Sequence, residues 1–192
     1  PPFIGKDSSA FVQLNRNKES ISLDIKENKG KEILRKLIKN SDVLIENSRV
    51  GTMDKLGFGY KDVKKINPKV IYCSITGFGT DGPYAKRGGF DLIAQGMSGL
   101  MSITGHPDSP PAKVGVPIAD LNTGMFAMQG ILSAYIHRLK NNEGQYLEVS
   151  LLESALAYTM YESSIYFTTG KISTPDGSAH RLTAPYQAFK TM

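Results

Sequence analysis

Apolar and polar residues alternate over residues 11–14 and 21–25, which predicts two short strands. Over residues 30–40 the apolar positions are Ile33, Leu34, Leu37 and Ile38. That spacing falls on one face of an amphipathic helix. Residues 42–45 read as a buried strand, and residues 70–75, β-branched and apolar, as a second. Between them, residues 60–66 predict a short helix that Asn67-Pro68 stops, because the residue before Pro is pushed out of the helical region. Helices follow at 90–103 (despite Gly96 and Gly99), at 121–140 as the longest, and at 151–167; strands are expected at 145–149 and 186–189. Residues 170–185 are polar with Gly and Pro and read as a loop or linker. The helix–strand–helix–strand order predicts an α/β fold with a parallel sheet and crossover helices.

The chain has 192 residues, 40% hydrophobic and 21% charged, the size and composition of one ordinary soluble domain. It begins Pro1-Pro2-Phe3 without an initiator Met and stops at Thr191-Met192, so both ends are expected to be truncations. The net charge of +5 is mild and spread out. The densest basic stretch, residues 29–39, alternates with apolar residues and reads as a solvated helix face. A phosphate-rich ligand could use some of this charge. Nucleic acid is not expected, because no basic run is interleaved with aromatics. Cys73 is the single cysteine, which excludes a disulfide framework and a Cys-based zinc site, and fits a reducing compartment. No apolar run approaches the ~20 residues of a membrane span.

Gly77-Phe-Gly79-Thr-Asp-Gly82 fits the G-x-G-x-x-G spacing and follows a predicted strand. A dinucleotide site would need a helix opening at the third Gly, and Gly88-Gly89 would break one almost at once. The better expectation is a backbone-exposed loop at the carboxyl end of a strand. Glu46-Asn47-Ser48-Arg49 and Gly51 end the other buried strand. If the two strands are adjacent, these loops line one crevice, with Arg49 and Lys55 supplying charge for phosphates.

Asp120 stands just before the longest predicted helix, in Ile-Ala-Asp120-Leu-Asn-Thr-Gly124. One reading is an N-cap. The other is a nucleophilic carboxylate held ionised by a helix N-terminus, with room for substrate beside Ala119, Thr123 and Gly124. Asp91, in Gly88-Gly89-Phe90-Asp91, poses the same choice. Asp24 reads as solvent-facing and Glu153 as a surface or helix-start residue. His106, His137 and His180 lack metal-ligand spacing, and no metal is expected. Ser74 and Ser150 lack a nucleophile-elbow context. Met125, Phe126 and Met128 read as helix packing.

Taken in order, these motifs resemble family III CoA-transferases, the group that includes formyl-CoA and carnitine CoA-transferases. The likeness runs through Asn15-Arg-Asn-Lys18, Leu23-Asp24, Asp42-Val-Leu-Ile-Glu46-Asn47, Leu56-Gly-Phe-Gly-Tyr60 and Asn67-Pro68. It continues through Ile71-Tyr-Cys-Ser-Ile75, Gly77-Phe-Gly79, Gly82-Pro-Tyr84, Gly89-Phe-Asp91, Asp120-Leu-Asn-Thr-Gly124, Gly144-Gln145 and Ser150-Leu-Leu152. Tyr72 to Gly77 and Pro185 to Lys190 look most like the succinyl-CoA:dicarboxylate, glutarate-type branch.

The resemblance implies a Rossmann-like parallel sheet, with residues 1–169 a fragment of the large domain. Residues 170–192 would be a linker and the start of the next segment, within a larger two-domain subunit of an interlaced homodimer. It implies Asp120 as catalytic nucleophile and Asp91 as a second acidic active-site residue. Contacts to CoA map onto Leu23, Lys26, Asn47, Ser48, Lys55, Gly88, Gly89 and Phe90. Ser48 stands where an aromatic often sits. Lys55 replaces the Arg of formyl-CoA transferase, keeping charge but not the bidentate fork. Coenzyme A would be a substrate, with no tightly bound cofactor, and neither nucleic acid nor membrane would be a partner. The cytoplasm is the expected compartment, with the mitochondrion as the alternative. The related α-methylacyl-CoA racemases carry a proton-transferring His where this chain has Phe90, which cannot transfer a proton. A racemase and a non-catalytic CoA-binding module are the alternatives to a transferase.

Overall fold

The computed structural model describes residues 2–191; Pro1 and Met192, where the truncations were expected, lie outside the described residues. The chain divides into two compact units, residues 1–36 and 37–192. In the first, β1 (Phe3–Ile4) and β2 (Asp7–Ser8) pair antiparallel, and α1 (Ser9–Leu14) follows. The strand expected at 11–14 is therefore a helix. Ser8 caps it, its hydroxyl accepting from the Phe11 amide, and this local bond decides a four-residue segment whose alternation is too short to. Residues 21–25 form no strand. Gly30 is buried against the Asp24 carbonyl, where a Cβ would clash. Helix α2 (Asn28–Asn40) carries the chain onward.

The second unit is built on a three-stranded parallel sheet: β3 (Val43–Glu46), β4 (Ile71–Thr76) and β5 (Tyr146–Ser150), in that spatial order. Val43 pairs with Ile71, and Tyr72 with Tyr146. Helices α3 (Thr52–Leu56) and α4 (Tyr60–Ile66) connect β3 to β4. From β4 to β5 the chain runs through α5 (Asp91–Met97), α6 (Leu100–Ile103) and α7 (Ile118–Asn141). After β5 come α8 (Leu151–Leu156), a 3₁₀ turn (Ala157–Thr159) and α9 (Met160–Thr169). The expected α/β architecture with a parallel sheet is what forms. Central β4 is buried on both faces, as its mainly apolar, β-branched run predicts; β3 is an edge strand and only half-buried.

Successive β4 residues point to opposite faces. Tyr72 meets Tyr60 and Tyr146 in an aromatic cluster, and its hydroxyl donates to the Phe58 carbonyl at 3.2 Å. Ile75 packs against Ala94 of α5, Ala119 of α7, and Leu151 and Ala155 of α8. An alanine from each of the three helices at this point lets them converge on the sheet. Along α7 the buried positions are Ala119, Thr123, Ala127 and Ala134, one helical stripe.

Three expected boundaries shift. Gly99, at φ 81°, divides the 90–103 helix into α5 and α6. The 3₁₀ turn likewise interrupts 151–167. Residues 186–189 form no strand. Asn67 ends α4 as expected, and its amide also caps α2 by donating to the Ile38 and Ser41 carbonyls at 3.0 and 2.9 Å. Met125, Phe126 and Met128, expected to pack, are exposed on α7 together with Leu121, Leu132 and Ile136. Among the described residues, no helix is long and apolar enough to cross a membrane.

Candidate active site

Because β3 and β4 are hydrogen-bonded neighbours, the loops leaving their carboxyl ends open into one cleft, where ligands bind in open α/β sheets. The cleft has a volume of about 470 Å³. Asn47, Ser48, Arg49 and Val50 form one wall, and Gly88, Gly89, Phe90 and Asp91 another. Thr76 and Gly77 lie at the end of β4, and α7 contributes Asp120, Thr123 and Gly124. Arg49 and Arg87 are its guanidinium groups.

Each wall is tied to the sheet. The Asn47 amide donates to the Ile75 carbonyl at 2.7 Å. The Glu46 carboxylate accepts from the Ser48 amide at 2.8 Å and from the Ser74 hydroxyl. The Gly79 amide donates to the Thr76 hydroxyl at 2.8 Å, and Thr80 donates through both its amide and its hydroxyl to Glu148 of β5. A Cβ on Gly77 would sit 2.5 Å from the Gly89 Cα, so the two glycine loops pass backbone against backbone. That contact explains both glycines. No helix opens at Gly82; the next begins at Asp91, so the dinucleotide arrangement is not formed.

The two aspartates differ in what their carboxylates contact. Pro117, not Asp120, is the N-cap of α7, and Asp120 lies inside the first turn. The first-turn amides are satisfied from another helix: Asp91 Oδ1 accepts from the Ala119 amide at 2.8 Å and the Asp120 amide at 3.3 Å. Asp91 Oδ2 accepts from the Gln95 side-chain amide at 2.6 Å. Asp91 is thus a cap, but of α7 rather than of its own helix, whose N-cap is Phe90. Among the described residues the Asp120 carboxylate accepts no hydrogen bond and lines the cleft. Burial, and then the Asp91 charge beside it, push its pKa above the usual aspartate value. The helix N-terminus was expected to favour the ionised form; here that end is already occupied by Asp91.

The cleft gathers Asn47, Ser48, Gly88, Gly89, Phe90, Asp91 and Asp120 from the expected set. Phe90 is 74% exposed. Lys55 is exposed on α3 and does not line the cleft. Leu23 and Lys26 belong to the first unit, where the Lys26 amide donates to the Asp24 carboxylate at 2.9 Å. Arg87 and Gln95 were not anticipated. Gln95 lies four residues after Asp91, a helical spacing that could have flagged the pair. Glu153 starts α8, accepting from the Ser150 hydroxyl at 2.7 Å. Cys73 is fully buried, and burial followed by the Glu46 charge raises its thiol pKa, the opposite of nucleophile activation. None of the three histidines lines the cleft, and no group of three or more metal-ligating side chains occurs among the described residues.

The cleft at the carboxyl ends of this parallel sheet is thus lined by the Asp120 carboxylate, which accepts no hydrogen bond among the described residues, and by Arg49 and Arg87. The profile of CoA-transferase family III covers residues 1–192, and the chain belongs to that family. It is 42% identical to the succinyl-CoA:glutarate CoA-transferase of Mus musculus, over 100% of this chain and 44% of the relative. It is 41% identical to the succinate–glutarate CoA-transferase of Agrobacterium fabrum, over 100% of this chain and 49% of that protein. The crystal structure of a CaiB/BaiF family protein from Brucella suis superposes with a TM-score of 0.90 at 43% identity, covering 97% of this chain and 50% of that one. The chain spans about half the length of the relatives it matches.

Proposed function

We propose that the natural-length protein transfers coenzyme A from an acyl-CoA, with succinyl-CoA the favoured donor, to a short dicarboxylic acid, using Asp120 as nucleophile. The observation that carries this reading is the division of labour between the aspartates: Asp91 takes the α7 amides, and Asp120 is left unbonded in the cleft. The choice of acids follows the succinate–glutarate transferases that the chain resembles.

In the first step the Asp120 carboxylate attacks the thioester carbonyl. The carbon–sulfur bond breaks, CoA leaves as thiolate, and a mixed anhydride forms. The thiolate then attacks the aspartyl carbonyl and releases the donor acid as carboxylate, leaving an aspartyl-CoA thioester. The acceptor carboxylate attacks that thioester, CoA thiolate leaves, and a second anhydride forms. Attack of the thiolate on the acceptor's carbonyl yields the new acyl-CoA and restores Asp120. No net proton is consumed, and every intermediate keeps the energy of the original thioester. Water must be kept out of the site, since it would hydrolyse each intermediate.

Arg49 and Arg87 are suited to the phosphates of CoA, and Asn47, Ser48 and Gly88 to Phe90 to the rest of its chain. The resemblance adds Leu23, Lys26 and Lys55 as CoA contacts and Asp91 as a catalytic partner. Phe90 offers no proton acceptor at the racemase position. The reading also carries a large domain over 1–169, a following segment over 170–192, an interlaced homodimer and a cytoplasmic location. The exposed apolar stripe of α7 is a surface such an assembly would cover. Incubating labelled succinate with succinyl-CoA tests the function: label should enter the thioester pool. Absence of exchange with succinate, glutarate and other acids would sink it.

A further inference from the structure

We propose that Gln95 is a positioning residue for the acyl-transfer step: its amide orients the Asp91 carboxylate, which in turn seats the turn of α7 that carries Asp120. The proposal rests on the reading of Asp120 as nucleophile.

Gln95 is 0% exposed. A primary amide buried that far is costly unless both of its ends are bonded. Both are. Its oxygen accepts from the Val114 amide at 2.9 Å, and its nitrogen donates to Asp91 Oδ2 at 2.6 Å. The polarity of these bonds allows one orientation. A backbone N–H can only donate, so the side-chain oxygen must face Val114, and the NH₂ must then face Asp91. With Oδ2 occupied, Asp91 Oδ1 is directed at the Ala119 and Asp120 amides. The result is a relay from the loop before α7, through the interior of α5, to the helix turn bearing the nucleophile. A methionine would fill a similar volume without a polar group, so what the amide adds at this buried position is orientation. Without it, Asp91 is free to turn about its terminal bond and release the α7 amides. The Asp120 carboxylate would then lose the fixed backbone from which it attacks, and small displacements of a reacting group cost rate steeply.

The test uses the natural-length protein with succinyl-CoA in rapid-quench experiments. Covalent labelling of Asp120 is read by mass spectrometry after hydroxylamine capture. Gln95→Met removes both hydrogen bonds. Gln95→Glu keeps the shape and an acceptor for the Val114 amide, and loses the donor to Asp91 once its carboxyl ionises, so its labelling rate measured as pH rises through that ionisation decides the matter if the methionine variant does not fold. In the variants the labelling rate and kcat should fall by roughly tenfold to a hundredfold, with KM for succinyl-CoA within about threefold of the parent. A merely structural role would leave the labelling rate of the folded protein unchanged. Labelling at the parent rate in every variant that folds, for Gln95→Glu with its carboxyl ionised, overturns the proposal and leaves the Asp120 reading standing. A rate loss that tracks weaker acyl-CoA binding also overturns it. Failure of the parent to label at Asp120 defeats the nucleophile reading, and this proposal with it.

Discussion

Replacing Asp91 by Asn keeps the shape of the side chain and changes its chemistry at two contacts. The new amide can still offer an oxygen to the Ala119 and Asp120 amides. Its nitrogen must then face the Gln95 nitrogen, donor against donor. Gln95 cannot rotate its amide to compensate, because its oxygen is committed to the Val114 amide. One buried donor therefore goes unpaired, at a cost of about 1–3 kcal/mol. Loss of the negative charge at the α7 N-terminus adds about 0.3–1 kcal/mol. The sum, roughly 1.3–4 kcal/mol, is a large share of a typical domain's stability. Asp120→Asn should behave oppositely. That side chain accepts no hydrogen bond among the described residues, and both burial and Asp91 work against its charge. Its replacement should leave stability unchanged or raise it while abolishing transfer, the usual relation between a reactive group and its fold. Urea denaturation of both variants, followed by far-UV circular dichroism, measures the difference. If Asp120→Asn costs as much stability as Asp91→Asn, or if Asp91→Asn costs nothing, the assignment of cap and nucleophile is wrong.

Three further outcomes follow from the same geometry. The Asp120 pKa is raised in the folded protein, so its destabilising contribution is fully present above that folded pKa and is relieved as pH falls toward the unfolded value of about 3.9. In the proposed mechanism the reactive form is the anion. The acid limb of kcat/KM should accordingly lie above the ordinary aspartate value, and any activity left in Asp91→Asn should show that limb at lower pH, with the burial contribution remaining. Gly89→Ala would drive a methyl into the Gly77 backbone; about 1–3 kcal/mol of destabilisation and a large loss of transfer are expected, read by melting and by label exchange. Cys73, fully buried with a raised thiol pKa, should resist iodoacetamide in the native protein and react only on unfolding, as mass spectrometry would report.

What the sequence made legible was local. The β4 run Ile71-Tyr-Cys-Ser-Ile75 announces burial on both faces, because every residue in it tolerates the interior. Asn67-Pro68 stops α4 through the backbone of neighbouring residues. The aspartates resisted the same treatment. Asp120 has every local mark of an N-cap, yet the α7 amides are met by a carboxylate 28 and 29 residues away, which no window of sequence displays. The Gly77–Gly89 contact is hidden for the same reason: it is a meeting of two loops. Gln95 looks like an ordinary polar helix residue until Asp91 and Val114 are placed around it. The misread strand at 11–14 failed differently. Four alternating residues weigh less than one serine cap at their start.

The central claim is that Asp120 forms covalent bonds during transfer. The most direct measurement incubates the natural-length protein with succinyl-CoA, traps it with hydroxylamine or borohydride, and maps the modified residue by peptide mass spectrometry. The hydroxamate or the reduced alcohol should appear on Asp120 and disappear in Asp120→Asn. An adduct on a different side chain, or steady turnover with Asp120 unmodified under trapping, would contradict the account.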